Sequence, residues 1–113
     1  MTAVHPVVAA EIADEVADEV AAAVLCCPAV AALHAGPFGQ TTTFLPGRRV
    51  AGVTWSPDGL VVGVVAAYPA TVREIDAQIR AAVALVAPGT TVTVRVEDIE
   101  FLPPLPPEKE RLP

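Results

Sequence analysis

The run from Leu60 to Tyr68 reads LVVGVVAAY, and as an extended strand it is apolar on both faces. Leu60, Val62, Val64 and Ala66 fall on one side, with Val61, Val65 and Ala67 on the other. A strand without a polar face needs cover above and below, so it belongs at the centre of a sheet. It is entered through Ser56-Pro57-Asp58-Gly59, in which proline presets φ for a turn and glycine permits a positive one. A second β-rich run, Val50 to Trp55, precedes that turn, and together the two predict a hairpin. From Thr91 to Ile99 the residues alternate. Val92, Val94 and Val96 point one way and Thr91, Thr93, Arg95 and Glu97 the other, the pattern of a half-buried strand.

Two segments carry the helical period instead. Val8, Ile12, Val16, Val20 and Val24 recur every fourth residue with Ala9, Ala13 and Ala17 beside them, while Glu11, Asp14, Glu15, Asp18 and Glu19 occupy the opposite arc. Pro28 stops this first helix shortly after Cys27. Thr71-Val72-Arg73-Glu74 has the S/T-x-x-E form whose two side chains cap each other's backbone amides, so a second helix starts there. Its apolar stripe is Val72, Ile75, Ile79, Ala82, Val83 and Val86. Asp76 and Arg80 form an i, i+4 pair outside the stripe, and Pro88-Gly89 ends the helix.

Between the first helix and the hairpin, Ala29 to Ala35 reads as a brief strand leading into Gly36-Pro37-Phe38-Gly39. The Thr-rich stretch from Gln40 reads as a connection closed by an exposed turn, Pro46-Gly47-Arg48-Arg49. The predicted order is α-β-β-β-α-β, an α+β fold with two helices on one face of a small, mainly three-stranded sheet. Residues 1–7 are expected to be a flexible start and 8–102 a single domain. Residues 103–113, with five prolines, are expected to form an extended tail.

The chain of 113 residues carries a net charge of -6, and residues 1–47 contain no Lys or Arg. Nucleic-acid and anionic-lipid binding both draw on basic side chains, so neither partner is expected. No positive region precedes an apolar stretch in the way a secretory signal requires. The longest apolar stretch, Val20 to Leu33, is 14 residues interrupted by Pro28, against roughly 20 for a spanning helix. A cytoplasmic protein is expected.

Reactive constellations are scarce. Cys26-Cys27 lacks the two- to four-residue spacing of zinc ligands, and His5 and His34 supply no complementary pattern, so buried or half-buried free thiols are expected. The single serine, Ser56, belongs to the hairpin turn, which leaves no nucleophile with a histidine partner. No catalytic residue, cofactor or metal is expected. What remains is surface. The acidic arc of the first helix (Glu11, Asp14, Glu15, Asp18), an exposed Phe38 and the adjacent bases Arg48 and Arg49 form the candidate protein-interaction surface, guanidinium forks being suited to carboxylates on a partner.

Leu33-His34-Ala35-Gly36-Pro37-Phe38-Gly39, followed by Thr43-Phe44-Leu45-Pro46-Gly47-Arg48-Arg49-Val50-Ala51-Gly52-Val53, resembles the actinobacterial branch of the alkaline shock protein family, also called envelope stress response proteins. The resemblance runs on through Leu60 to Tyr68, Thr71-Val72-Arg73-Glu74-Ile75 and Val92 to Ile99, covering about residues 8–100. It implies a non-enzymatic α+β protein of the cytoplasm that self-associates, is held near the membrane by a separate membrane-anchored protein, and serves cell-envelope homeostasis. A second reading comes from topology. Helix-strand-strand-helix-strand order also occurs in nucleic-acid-binding modules of the K-homology type, whose backbone clamp has the GXXG spacing found at Gly36-Pro37-Phe38-Gly39.

Overall fold

The computed structural model describes residues 6–101, with side chains placed from Glu15 onward. The expected flexible start (residues 1–5 of it) and the expected proline-rich tail lie outside the described residues. Eight elements follow in order: α1 (Pro6–Leu25), β1 (Val30–Leu33), β2 (Thr42–Leu45), β3 (Arg48–Ala51), β4 (Val53–Ser56), β5 (Gly59–Ala67), α2 (Val72–Val86) and β6 (Val92–Glu100). The fold is α+β with two helices, and α1 begins at Pro6, two residues ahead of the expected start.

The doubly apolar run forms β5 and is central. β6 pairs with it in parallel along one edge, from Leu60↔Val92 to Ala67↔Glu100. The other edge is shared by two strands in tandem, both antiparallel to β5. β4 covers its first half, Val53↔Val62 to Ser56↔Gly59, and β1 covers its second half, Val30↔Ala66 to Leu33↔Val64. β1 and β4 thus behave as one long strand interrupted by an excursion, residues 34–52. Gly63 closes that excursion from within β5. Its carbonyl accepts from the His34 N–H at 2.8 Å, and its N–H donates to the Gly52 carbonyl at 2.8 Å.

This arrangement corrects the reading of residues 40–55. Val50 to Trp55 is two strands rather than one, because Gly52 adopts φ +89°, which breaks the extended backbone. A Cβ there would also come within 2.6 Å of Leu33 Cβ. The Thr-rich stretch is a strand, β2, which turns at Pro46-Gly47 and pairs with β3 from Thr42↔Ala51 to Leu45↔Arg48 as a separate two-stranded sheet. Proline followed by a glycine at φ +76° is the chemistry of a type II turn. Arg48 and Arg49 therefore open β3 instead of completing the turn.

One cluster of buried side chains holds the layers together. It joins Ala17, Val20, Ala21 and Val24 of α1, Ile75, Ile79 and Val83 of α2, and Leu60, Val62, Val64 and Ala66 of β5. Those β5 residues are every second one, so both helices lie on the same face of the sheet. The capping box predicted at α2 is present. Glu74 N–H donates to Thr71 Oγ1 at 3.1 Å, and Thr71 N–H donates to Glu74 Oε1 at 3.0 Å. Gln78 ties the helices together, its Oε1 accepting the Ala29 N–H at 2.9 Å just beyond the end of α1. Among the described residues, no helix is long and apolar enough to cross a membrane.

Candidate interaction surface

The excursion between β1 and β4 is ordered by its own hydrogen bonds. The Thr41 N–H donates to the Ala35 carbonyl at 2.7 Å, and the Thr41 carbonyl accepts the Gly52 N–H at 2.7 Å. Within that frame Gly36 N–H donates to His34 Nδ1 at 2.9 Å, Gly39 N–H donates to the Gly36 carbonyl at 3.1 Å, and Phe38 N–H donates to Gln40 Oε1 at 3.0 Å. The backbone around Phe38 is held while its ring is 92% exposed. An aromatic ring presented on a fixed backbone loses little conformational freedom when a partner covers it.

The β2–β3 hairpin adds the basic half of the surface. Directly opposed residues of an antiparallel pair share a face. Thr43 and Val50 face inward: Val50 is buried, and Thr43 Oγ1 donates to the Val53 carbonyl at 2.6 Å. Phe44 and Arg49 oppose each other on the outer face, and Phe44 is 73% exposed. Leu45 and Arg48 share the inner side, from which Arg48 reaches α1. Its guanidinium makes a two-pronged pair with Asp18, Nη1 to Oδ1 at 2.8 Å and Nη2 to Oδ2 at 2.5 Å. Those hydrogen bonds, reinforced by the positive charge, hold the Asp18 carboxyl below its ordinary value.

The sequence-predicted residues thus divide. Asp18 and Arg48 are spent on each other, clamping the hairpin to α1. Phe38 and Arg49 are exposed, as is Glu15. Glu11 and Asp14 belong to α1, and their side chains lie outside the described residues. Phe44 was not singled out from the sequence: Thr42 to Leu45 carries no polar–apolar alternation, and the outward position of its ring follows only from the hairpin register with β3. Tyr68 and Phe101 form a further exposed pair at the far end of the sheet, ring centroids 4.5 Å apart. The Gly36–Gly39 spacing lies in a strand-to-strand connection, with Phe38 pointing outward between its glycines.

Neither cysteine is in a disulfide. Cys27 is buried as expected, its Sγ 3.6 Å from both the Ala23 and the Gln78 carbonyl oxygens, but Cys26 is exposed, because it falls just past the end of α1 at Leu25. Burial raises the Cys27 thiol above its ordinary value, and proximity to Cys26 adds to the rise. Ser56 serves its turn, Oγ donating to the Gly59 carbonyl at 3.1 Å and accepting the Asp58 N–H at 3.2 Å. Among the described residues, no group of three or more His, Cys, Asp or Glu is disposed to hold a metal ion. Comparison with family models, with curated proteins and with solved structures finds no match to this chain.

Proposed function

We propose that this protein is a non-enzymatic cytoplasmic scaffold or adaptor of the cell-envelope stress response, which self-associates and docks on a membrane-anchored partner protein. The observation that carries the reading is the excursion between β1 and β4. Its backbone is committed to internal hydrogen bonds, while Phe38, Phe44 and Arg49 are turned outward. Aromatic rings and arginine are the side chains that most often dominate protein interfaces. The resemblance of residues 8–100 to the alkaline shock protein family supplies the biological setting, with the anchored partner holding the protein near the membrane.

The test is crosslinking in cells. A photoreactive phenylalanine analogue at position 38 or 44, in place of the natural ring, is expected to capture a membrane-anchored protein on irradiation. The same analogue at Asp58, in the turn at the opposite end of β4, is expected not to. Capture that is equal at all three positions, or absent at 38 and 44, overturns the reading.

A further inference from the structure

β6 is nine residues long and pairs, among the described residues, with β5 alone. Its other edge is a row of backbone donors and acceptors, and the phase of the ladder says which residues bear them. The Leu60 N–H donates to the Thr91 carbonyl at 2.8 Å, and Leu60 is registered on Val92. In a parallel pair the two groups of every second residue turn to the same neighbour. Thr91, Thr93 and Arg95 therefore address β5, and the N–H and C=O of Val92, Val94 and Val96 address the open edge. The regular stretch ends at Glu97, on which no β5 residue is registered, because a bulge skips from Val64↔Val96 to Val65↔Asp98.

We infer that this edge is where two copies of the chain join, β6 against β6, antiparallel about a two-fold axis through Val94. This rests on the self-association in the proposed function and names the surface that performs it. The register follows from three observations. Edge-facing residues must meet edge-facing residues, and an axis at Val94 pairs Val92 with the second copy's Val96, and Val94 with its own counterpart, for about six backbone hydrogen bonds within the regular stretch. All three pairs are valine on valine, on the side of the sheet that already packs against the helical core, where Val94 and Val96 are only half-buried in a single copy. An axis at Arg95 instead sets that arginine against itself, which like-charge repulsion disfavours.

Charge fits the same register. The chain as a whole is acidic, at -6, so two copies repel on average. On the open face of this joint, Arg95 lies opposite the second copy's Thr93, and Glu97 lies opposite the second copy's Thr91. The two Arg95 side chains are diagonal neighbours across the joint rather than directly opposed, each with its own Glu97 two residues along the same face, so the row sums to zero charge. Asp98 and Glu100, beyond the bulge, fall past the start of the other strand and face no like charge. Bulges and charges limit uncontrolled pairing of edge strands, and here they confine it to one short self-complementary stretch.

Thr93 is exposed and faces Arg95 of the other copy only in this register, which makes it the probe. Sedimentation equilibrium of the full chain is expected to show a monomer–dimer equilibrium. Thr93→Glu places a carboxylate opposite each arginine and is expected to tighten the dimer about three- to tenfold, while Thr93→Arg weakens it by a similar factor. Circular dichroism identical to that of the unsubstituted chain confirms that both variants are folded. A strictly monomeric protein at about 1 mM, or variants that move the constant in the same direction or not at all, overturns the inference. Crosslinking of the partner through position 38 is expected to persist in the Thr93→Arg protein, so loss of this joint and loss of the proposed docking are separately visible.

Discussion

The carbonyl oxygen of His34 occupies the space into which a side chain on Gly63 would have to project. A Cβ at Gly63 would fall well inside contact distance of that oxygen, and the methyl of Thr41 stands 3.4 Å away. The same two residues are hydrogen-bonded through the His34 N–H and the Gly63 carbonyl, so neither backbone can retreat without breaking the closure of the excursion. Gly63→Ala is therefore expected to destabilise the fold by about 2 kcal/mol or more, in the range of overpacked interiors. Urea unfolding checks this, and an unchanged midpoint would contradict the closure described.

The cap of α2 gives a separate measurement. Removing the Thr71 hydroxyl orphans an amide of the first turn, and Thr71→Ala is expected to cost about 1 kcal/mol in denaturant unfolding. Glu74, the reciprocal member, has its carboxyl held below the ordinary 4.5, chiefly by the Thr71 backbone N–H and then by its hydroxyl. A carboxyl depressed in the folded state contributes stability above its unfolded value and loses that contribution as pH falls through its folded value. The difference between Glu74→Ala and the unsubstituted chain should thus be largest at neutral pH and close in acid.

Asp18 obeys the same sign. Its pairing with Arg48 clamps the hairpin to α1 across an exposed surface, where salt and solvent weaken such pairs. Asp18→Asn is expected to lower the thermal midpoint slightly at neutral pH and low salt. The difference should shrink as pH falls below 3.8, the ordinary aspartate value, and vanish once pH passes beneath the lowered folded value; it should also vanish in about 1 M salt, where the screening length is near 3 Å. A gap that persists in acid would mean that the pair is not what holds the hairpin.

Much of this fold is legible from the sequence, and the rest is hidden for definable reasons. The doubly apolar run of β5, the alternation of β6, the period of α1 and the capping box at Thr71 are local patterns, each written within about fifteen residues. The split of Val50–Trp55 is not local. It depends on Gly52 meeting Leu33, some twenty positions earlier, and on Gly63 bonding to both ends of the excursion. Arg48 read as a solvated turn residue because its partner, Asp18, lies thirty residues away on another element. The exposure of Phe38 is one of two readings that its neighbours Pro37 and Gly39 allow, the other being a ring that caps the chain's own core. That of Phe44 needed the hairpin register, which only pairing with β3 establishes.

The two neighbouring cysteines should behave as opposites. Cys26 is exposed beyond the last turn of α1, whereas Cys27 is turned into the core with its thiol raised by burial, so the reactive thiolate is both rarer and less accessible there. Intact-mass measurement during maleimide labelling of the native protein is expected to show one fast addition and one slow, with Cys26→Ser abolishing the fast one. The raised thiol has a further consequence at high pH. Above its ordinary value of 9.0 the unfolded chain releases the proton first, so stability falls with rising pH, and Cys27→Ala should flatten that fall.

The contrast between Ile79 and the two exposed phenylalanines separates structure from interaction. Ile79, on the inner face of α2, is fully buried, and truncation to alanine removes methyl groups from a site with little room to collapse, at about 2–5 kcal/mol. Phe38 and Phe44 bury little of their rings within the chain, and surface substitutions away from special features usually fall within about 0.5 kcal/mol. A Phe38→Ser, Phe44→Ser double variant is therefore expected to unfold at the same urea concentration as the unsubstituted chain, yet to lose recovery with the membrane fraction of cells. Because its stability is unchanged, that loss would be assigned to the surface itself. Undiminished membrane recovery would show that these rings are not the docking contact, and a large drop in the midpoint would show that they serve the protein's own packing.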